Sequence, residues 1–168
     1  MSLTLVLGGA RSGKSAHAED ILTRLAPPWS YIATADAWDD EMAERIALHR
    51  ARRHEGWHTQ DAPNDLAGAL KALPARRPVL VDCLTLWLSN RLLAEADLSG
   101  ECVDIVEALA GHDGPVVAVS NEVGLGIVPD NALARRFRDA HGRLNQQVAA
   151  RADTVLFMVA GLPMKVKG

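Results

Sequence analysis

The stretch GGARSGKS, Gly8 to Ser15, closes the first apolar run of the chain, LTLVL at residues 3–7. Gly8, Gly9, Ala10, Arg11, Ser12, Gly13, Lys14 and Ser15 match G-x-x-x-x-G-K-[ST], the pattern of a loop that wraps a nucleotide's phosphates. Glycines let the backbone turn its N–H groups inward around an anion, and a helix beginning at Lys14 adds the positive end of its dipole. In that role Lys14 neutralises the β- and γ-phosphates and the Ser15 hydroxyl binds Mg²⁺. The motif demands a strand before it and a helix after it, and both are readable here. It does not separate a kinase from a motor, a switch or a nucleotidyl transferase.

Outward from the loop, short apolar runs alternate with amphipathic stretches, which predicts an α/β fold with a mostly parallel central sheet flanked by helices. Strands are expected at 3–7, 30–34, 78–82, 116–120 and 154–159, each apolar on both faces as in sheets covered on two sides. A last short strand at 164–167 is expected at an edge. Helices are expected at 14–25, 39–53, 65–73, 85–94, 103–110 and 131–151. Asn64 is placed to cap the third, and Pro129 and Asp130 punctuate the start of the last. The segments PPWS (27–30) and ADLSGE (96–101) read as loops, and neither an internal repeat nor a linker is visible.

A chain of 168 residues is expected to form one domain, residues 1–168. Apolar residues at 48% and charged residues at 23% exclude wholesale disorder. A net charge of −3 argues against a sequence-independent grip on nucleic acid, which needs a strongly basic surface. No apolar run approaches the ~18 residues of a membrane span. The start LTLVLGG runs straight into the loop without the features of a secretory signal. A cytoplasmic protein with two free thiols, Cys83 and Cys102, is therefore expected.

A phosphate loop needs a second metal anchor, commonly an acid ending another apolar strand. Asp82 in PVLVDCL has that position. Glu122, in VVAVSNEVGLGIVP, is the alternative anchor or base. Ligands of open α/β sheets gather at the carboxyl ends of strands, so Asp82, Asn121 and Glu122 are expected at one crevice. Asn121 and Glu122 serve equally well, on this reading, to order the Gly124–Gly126 turn.

The segment DDEMAERIALHRARRHEGWHT (39–59) is the second unusual feature. Met42, Ile46 and His49 share one helical face, and Arg45, Arg50, Arg52 and Arg53 surround it. So dense a set of like charges calls for an anion. From the residues alone, His49 reads first as the end of an apolar stripe, with a reactive role left open. His54 and His58 read as surface residues of the following turn and strand. No histidine and carboxylate spacing fits a structural zinc site.

Taken together, these segments resemble the bifunctional adenosylcobinamide kinase / adenosylcobinamide-phosphate guanylyltransferase family of cobalamin biosynthesis. The resemblance rests on GGARSGKS, YIATA, DDEMAERIALHRARR with W-x-T behind it, VLVDCLTLWLSN, SNEVGLGIVP, and RRFRDAHGRLNQQVAARAD through GLPMKVK. These run in the family's order over essentially the whole chain. The resemblance implies a RecA-like phosphate-loop fold and oligomers, trimers in particular.

It also implies two reactions. The first phosphorylates the hydroxyl of the aminopropanol arm of adenosylcobinamide with ATP or GTP. The second transfers GMP from GTP to that phosphate, giving adenosylcobinamide-GDP and pyrophosphate, through a histidine–GMP intermediate at His49. By the same resemblance, Gly8 to Ser15 hold the triphosphate, and Ala33, Thr34 and Ala35 lie beside the nucleotide. Arg50, Ala51, Arg52, Arg53 and Asp61 fall where the family contacts guanine nucleotide or substrate. Asp61 stands where Glu is common, and Asp82 matches an acidic strand-end position where some relatives carry Glu. The runner-up enzyme is a simple small-molecule kinase in which His49 is structural. A nucleotide-dependent switch or assembly ATPase is the reading from a different class.

Overall fold

The computed structural model describes residues 2–36 and 55–168. Its elements run β1 (Ser2–Gly8), α1 (Lys14–Thr23), β2 (Trp29–Ala33), β3 (Trp57–Asp61), α2 (Leu66–Lys71), β4 (Val79–Asp82), α3 (Leu84–Leu93), α4 (Leu98–Gly111), β5 (Pro115–Asn121), α5 (Ala132–Arg151), β6 (Thr154–Val159) and β7 (Leu162–Lys167). The helix expected at 39–53, with His49, Arg50, Ala51, Arg52 and Arg53, lies outside the described residues, as does His54.

Among the described residues one sheet of seven strands has the order β3-β2-β4-β5-β1-β6-β7. Every pairing is parallel except that of β6 with β7, which is antiparallel. Successive side chains of a strand point to opposite faces, and the central strands are apolar at both. Leu5, Val79, Val81, Val116 and Ala118 enter a core beneath α2, α3, α4 and α5, where Leu66, Leu84, Trp87, Ile105 and Leu144 meet them. Val6, Leu80, Val117 and Val119 enter the opposite core, with Ala18 and Leu22 of α1.

The strand expected to carry His58 is β3, at Trp57–Asp61, and three other sequence expectations are corrected. Only Trp57 of this edge strand is half-buried and the rest are exposed, so it carries no apolar pattern. Its backbone pairs with β2 regardless. The segment PPWS is not wholly loop. Trp29 and Ser30 belong to β2, and the Trp29 ring packs on Trp57 with centroids 5.4 Å apart.

In ADLSGE the helix α4 already begins at Leu98. Asp97 caps it by accepting the Ser99 N–H at 3.1 Å, a signal that Gly100 obscures in the sequence. Asp65, not Asn64, caps α2 by accepting the Gly68 N–H at 2.8 Å. Asn64 instead uses its carbonyl oxygen to accept from the Trp87 indole at 3.0 Å. Cys83 and Cys102 are free, as expected, and both are buried.

Candidate active site

Each parallel strand delivers its last residue to the same edge of the sheet. Gly8 ends β1, Ala33 ends β2, Asp61 ends β3, Asp82 ends β4 and Asn121 ends β5. The ladder places Ala33 between Asp61 and Asp82, and Gly8 beside Asn121. Strand β5 lies between β1 and β4, so the loop and Asp82 are separated by one strand. Parallel strands concentrate loop ends, and hence ligand sites, at this edge.

The phosphate loop leaves β1 at Gly8, where only glycine fits: a Cβ there would sit 2.6 Å from Ser12 Oγ and 2.8 Å from the Met158 carbonyl oxygen. Gly13 has φ 91°, a left-handed conformation that costs glycine nothing, and it starts α1 without a side-chain cap. The first N–H groups of α1 therefore have no side-chain cap at Gly13. Lys14 is 8% exposed, and its ammonium donates to the Gly9 carbonyl at 2.6 Å. Burial lowers its pKa, while Cys83 and Asp82 act to raise it. Ser15, next in the helix, is half-buried.

Asp82 is half-buried, and its Oδ2 accepts a hydrogen bond from the Tyr31 phenol at 2.7 Å. The turn behind it is held by Thr34, which is fully buried. The Thr34 hydroxyl donates to the Cys83 carbonyl at 2.6 Å and accepts the Cys83 N–H at 2.8 Å. The Thr34 N–H donates to the Asp82 carbonyl at 3.1 Å. Its own carbonyl accepts from the Asn90 side chain at 3.0 Å. Thr34 thus turns inward, with its side chain committed to the backbone after Asp82. Ala33 is 8% exposed and Ala35 half-buried.

Cys83 is a neutral thiol, its pKa pushed up to about 11 by burial and by Asp82. Such a thiol is no nucleophile. Glu122 donates its N–H to the Gly8 carbonyl at 3.0 Å, and its carboxylate accepts from the Gly124 N–H. Glu122 does order the turn beyond β5, as one of its two sequence readings had it. His58 stands exposed on β3, as expected.

The arrangement brings Gly8 to Ser15, Ala33, Asp61, Asp82 and Asn121 to one edge. Tyr31 and Thr34 were not legible as supports of Asp82. The available signal was a tyrosine, the chain's only one, in the strand WSYIA. Among the described residues no group of three or more histidine, cysteine or acidic side chains could hold a metal. A hydroxyl and a single carboxylate, Ser15 and Asp82, instead suit Mg²⁺, which is usually held by one or two protein oxygens and completed by phosphates and water.

Among known proteins, a family model described as cobinamide kinase / cobinamide phosphate guanyltransferase matches residues 4–166. The bifunctional adenosylcobalamin biosynthesis protein CobP of Pseudomonas aeruginosa is 50% identical, over 98% of this chain and 96% of that protein. The corresponding protein CobU of Salmonella typhimurium is 40% identical, over 98% of this chain and 99% of its own. Among solved structures, the Pyrococcus horikoshii protein PH0250 matches with TM-score 0.56 and 10% identity, over 99% of this chain and 86% of that one. A solved ATPase domain matches with TM-score 0.50 and 14% identity, over 93% of this chain and 68% of that one. These likenesses concern the fold alone. The observed architecture, a mostly parallel seven-stranded sheet flanked by helices with the glycine-rich loop after β1, is the α/β fold expected from the sequence.

Proposed function

Because the chain belongs to the cobinamide kinase / cobinamide phosphate guanyltransferase family, we propose that it carries out both reactions of that name from the edge of the sheet where its loop and Asp82 meet. It phosphorylates the aminopropanol arm of adenosylcobinamide with ATP or GTP. It then transfers GMP from GTP to the new phosphate, releasing pyrophosphate. The observation that carries this reading is the family match over residues 4–166, in a chain whose phosphate loop and Asp82 follow strand ends at one edge of the sheet. The corrinoid and the nucleotides are the family's substrates.

In the kinase step Lys14 releases the Gly9 carbonyl and meets the β- and γ-phosphate oxygens, where negative charge develops. The uncapped start of α1 and the loop N–H groups hold the same phosphates. Ser15 and Asp82 would hold Mg²⁺, which would supply charge neutralisation at the transferred phosphoryl group. Tyr31 aims the Asp82 carboxylate by its hydrogen bond. Ala33, Thr34 and Ala35 border the nucleotide, with Thr34 acting through the backbone it fixes.

In the guanylyl step the His49 imidazole attacks the α-phosphorus, forming a P–N bond as the P–O bond to pyrophosphate breaks. An oxygen of the arm phosphate then displaces the imidazole and restores it. A covalent intermediate divides one difficult transfer into two easier ones. Arg50, Ala51, Arg52, Arg53 and Asp61 form the surroundings of guanine nucleotide or substrate. The unit of residues 1–168 is a single domain that works in the cytoplasm as a homo-oligomer, a trimer by the family's habit, without nucleic acid. Among the described residues no helix is long and apolar enough to cross a membrane.

The test is incubation with Mg²⁺ and α-labelled GTP, followed by denaturing electrophoresis and mapping of the label. A label on His49 that is labile to acid and stable to alkali is expected. His49→Ala abolishes the adduct and GMP transfer but leaves at least part of the kinase activity. Adduct formation slows as pH falls below about 6.5, where an unperturbed imidazole takes up its proton. A kinase step without any adduct establishes the simple kinase instead. Slow nucleotide hydrolysis indifferent to cobinamide establishes the switch.

A further inference from the structure

Behind the end of β5, side chains from three elements close into a hydrogen-bonded set that the two reactions leave unexplained. Ser120 lies on β5, Thr85 on α3, and His141 and Asn145 one turn apart on α5. Ser120 and His141 are fully buried, and Thr85 and Asn145 nearly so. The Ser120 hydroxyl donates to Asn145 Oδ1 at 2.7 Å. The Asn145 amide nitrogen lies 3.3 Å from His141 Nδ1. An amide nitrogen can only donate, so Nδ1 accepts and the ring proton is assigned to Nε2. His141 Nε2 then donates toward Thr85 Oγ1 at 3.0 Å and Ser120 Oγ at 3.2 Å.

Both outer arms of this set end on the backbone of one residue. The Asn121 N–H donates to Thr85 Oγ1 at 2.8 Å, and the Asn121 carbonyl accepts from the Asn145 amide at 3.1 Å. Asn121 is the register partner of Gly8, and the next N–H, of Glu122, donates to the Gly8 carbonyl. A core made of apolar side chains would fill this space without desolvating four polar groups. A fully satisfied polar network instead fixes one arrangement. Here the arrangement fixed is the seam between β5 and the first residue of the phosphate loop.

We propose that His141, with Ser120, Asn145 and Thr85, is a positioning device. It clamps the Asn121–Glu122 backbone against Gly8, so that the phosphate loop and the end of β5 keep one geometry through phosphoryl transfer. His141 touches no substrate and acts through Thr85 and Asn145. The kinetic arm of its test rests on the proposed function, and the exchange arm does not.

The experiment compares His141→Leu, His141→Gln and Leu144→Ala. Leu144 is a fully buried core residue of the same helix with no part in the network. His141→Leu is expected to lower kcat of the kinase step at least tenfold while the KM for cobinamide changes less than twofold. His141→Gln, whose amide reaches the Nε2 position, recovers most of that loss. Leu144→Ala loses stability but keeps the wild-type kcat.

Amide hydrogen exchange on nucleotide-free protein is the second readout. Protection of the Asn121 and Glu122 amides falls more in His141→Leu than in Leu144→Ala. Should His141→Leu fail to fold, Thr85→Val compared with Thr85→Ser carries the same contrast. Wild-type kcat and protection in His141→Leu overturn the proposal, as does an equal loss in Leu144→Ala. If the wild-type protein does not phosphorylate cobinamide, the functional reading fails and the exchange comparison alone decides the clamp.

Discussion

The Lys14 ammonium donates to the Gly9 carbonyl of its own loop. Lys14→Ala is expected to lower kcat of the kinase step by about 10²–10³, the range seen when one donor to developing charge is removed. A steady-state assay with saturating ATP and cobinamide measures it. Asp82→Asn should raise the Mg²⁺ concentration for half-maximal rate in both steps, because a neutral amide holds a hard cation less well than a carboxylate. A Mg²⁺ titration that does not move transfers the anchor to Glu122.

His141 offers a prediction of a different kind. Burial lowers its pKa from 6.5 to about 4, and the opposing pull of Glu122 is the smaller effect. Phe137 packs on the ring with centroids 5.5 Å apart and carries no charge. The unfolded chain therefore takes up a proton that the folded protein refuses between pH 6.5 and 4. The contribution of this neutral ring is complete above pH 6.5 and declines as pH falls toward 4, by at most about 1.4 kcal/mol per pH unit. Urea unfolding at pH 7 and pH 5 should show a steeper loss in the wild type than in His141→Gln.

At the scale of elements, the Thr34 side chain ties the turn after β4 to the end of β2. It both donates to and accepts from the Cys83 backbone. Thr34→Val removes both bonds and leaves buried peptide groups unpaired. Its expected cost is about 1–3 kcal/mol in urea unfolding, together with a raised Mg²⁺ requirement as Asp82 loses its support. Thr34→Ser should restore both.

Most elements were readable because their pattern is local. The central strands are apolar on both faces, and α5 has Asn131 accepting two N–H groups at its start. Strand β3 was readable only as the strand carrying His58, without its bounds. Its side chains are mostly polar and exposed, and only the open edge of β2 makes it a strand. The start of α4 was hidden because Gly100 suggests a turn, whereas Asp97 and its cap admit the glycine into the first turn of a helix.

For the whole molecule, the loop binds only in the folded state, so its ligand should stabilise the fold. At a hundred times its dissociation constant, Mg²⁺–GTP is expected to add about 2.7 kcal/mol to the unfolding free energy. For a chain of this length that is roughly 5–10 °C in Tm. Thermal unfolding followed with increasing GTP checks it, and the shift should be largely lost in Lys14→Ala. The same edge-of-sheet placement explains the reach of the site. Five strands bring their last residues together, although those residues are scattered from Gly8 to Asn121.

What the sequence determined by itself were the features carried by neighbouring residues. The glycine pattern dictates the loop, alternation of apolar runs with amphipathic stretches dictates parallel strands between helices, and ordered motifs carry the family. Sterics and periodicity act over a few residues, so they can be read without a fold. Tertiary structure alone decided which distant groups meet. Tyr31 and Asp82 are 51 residues apart, Thr34 and Cys83 49, and Thr85 and His141 56. A buried polar side chain announces in the sequence only that it needs a partner. The strand order, with β5 between β1 and β4, chooses that partner, and so makes the one fully buried histidine among the described residues part of the seam beside the phosphate loop.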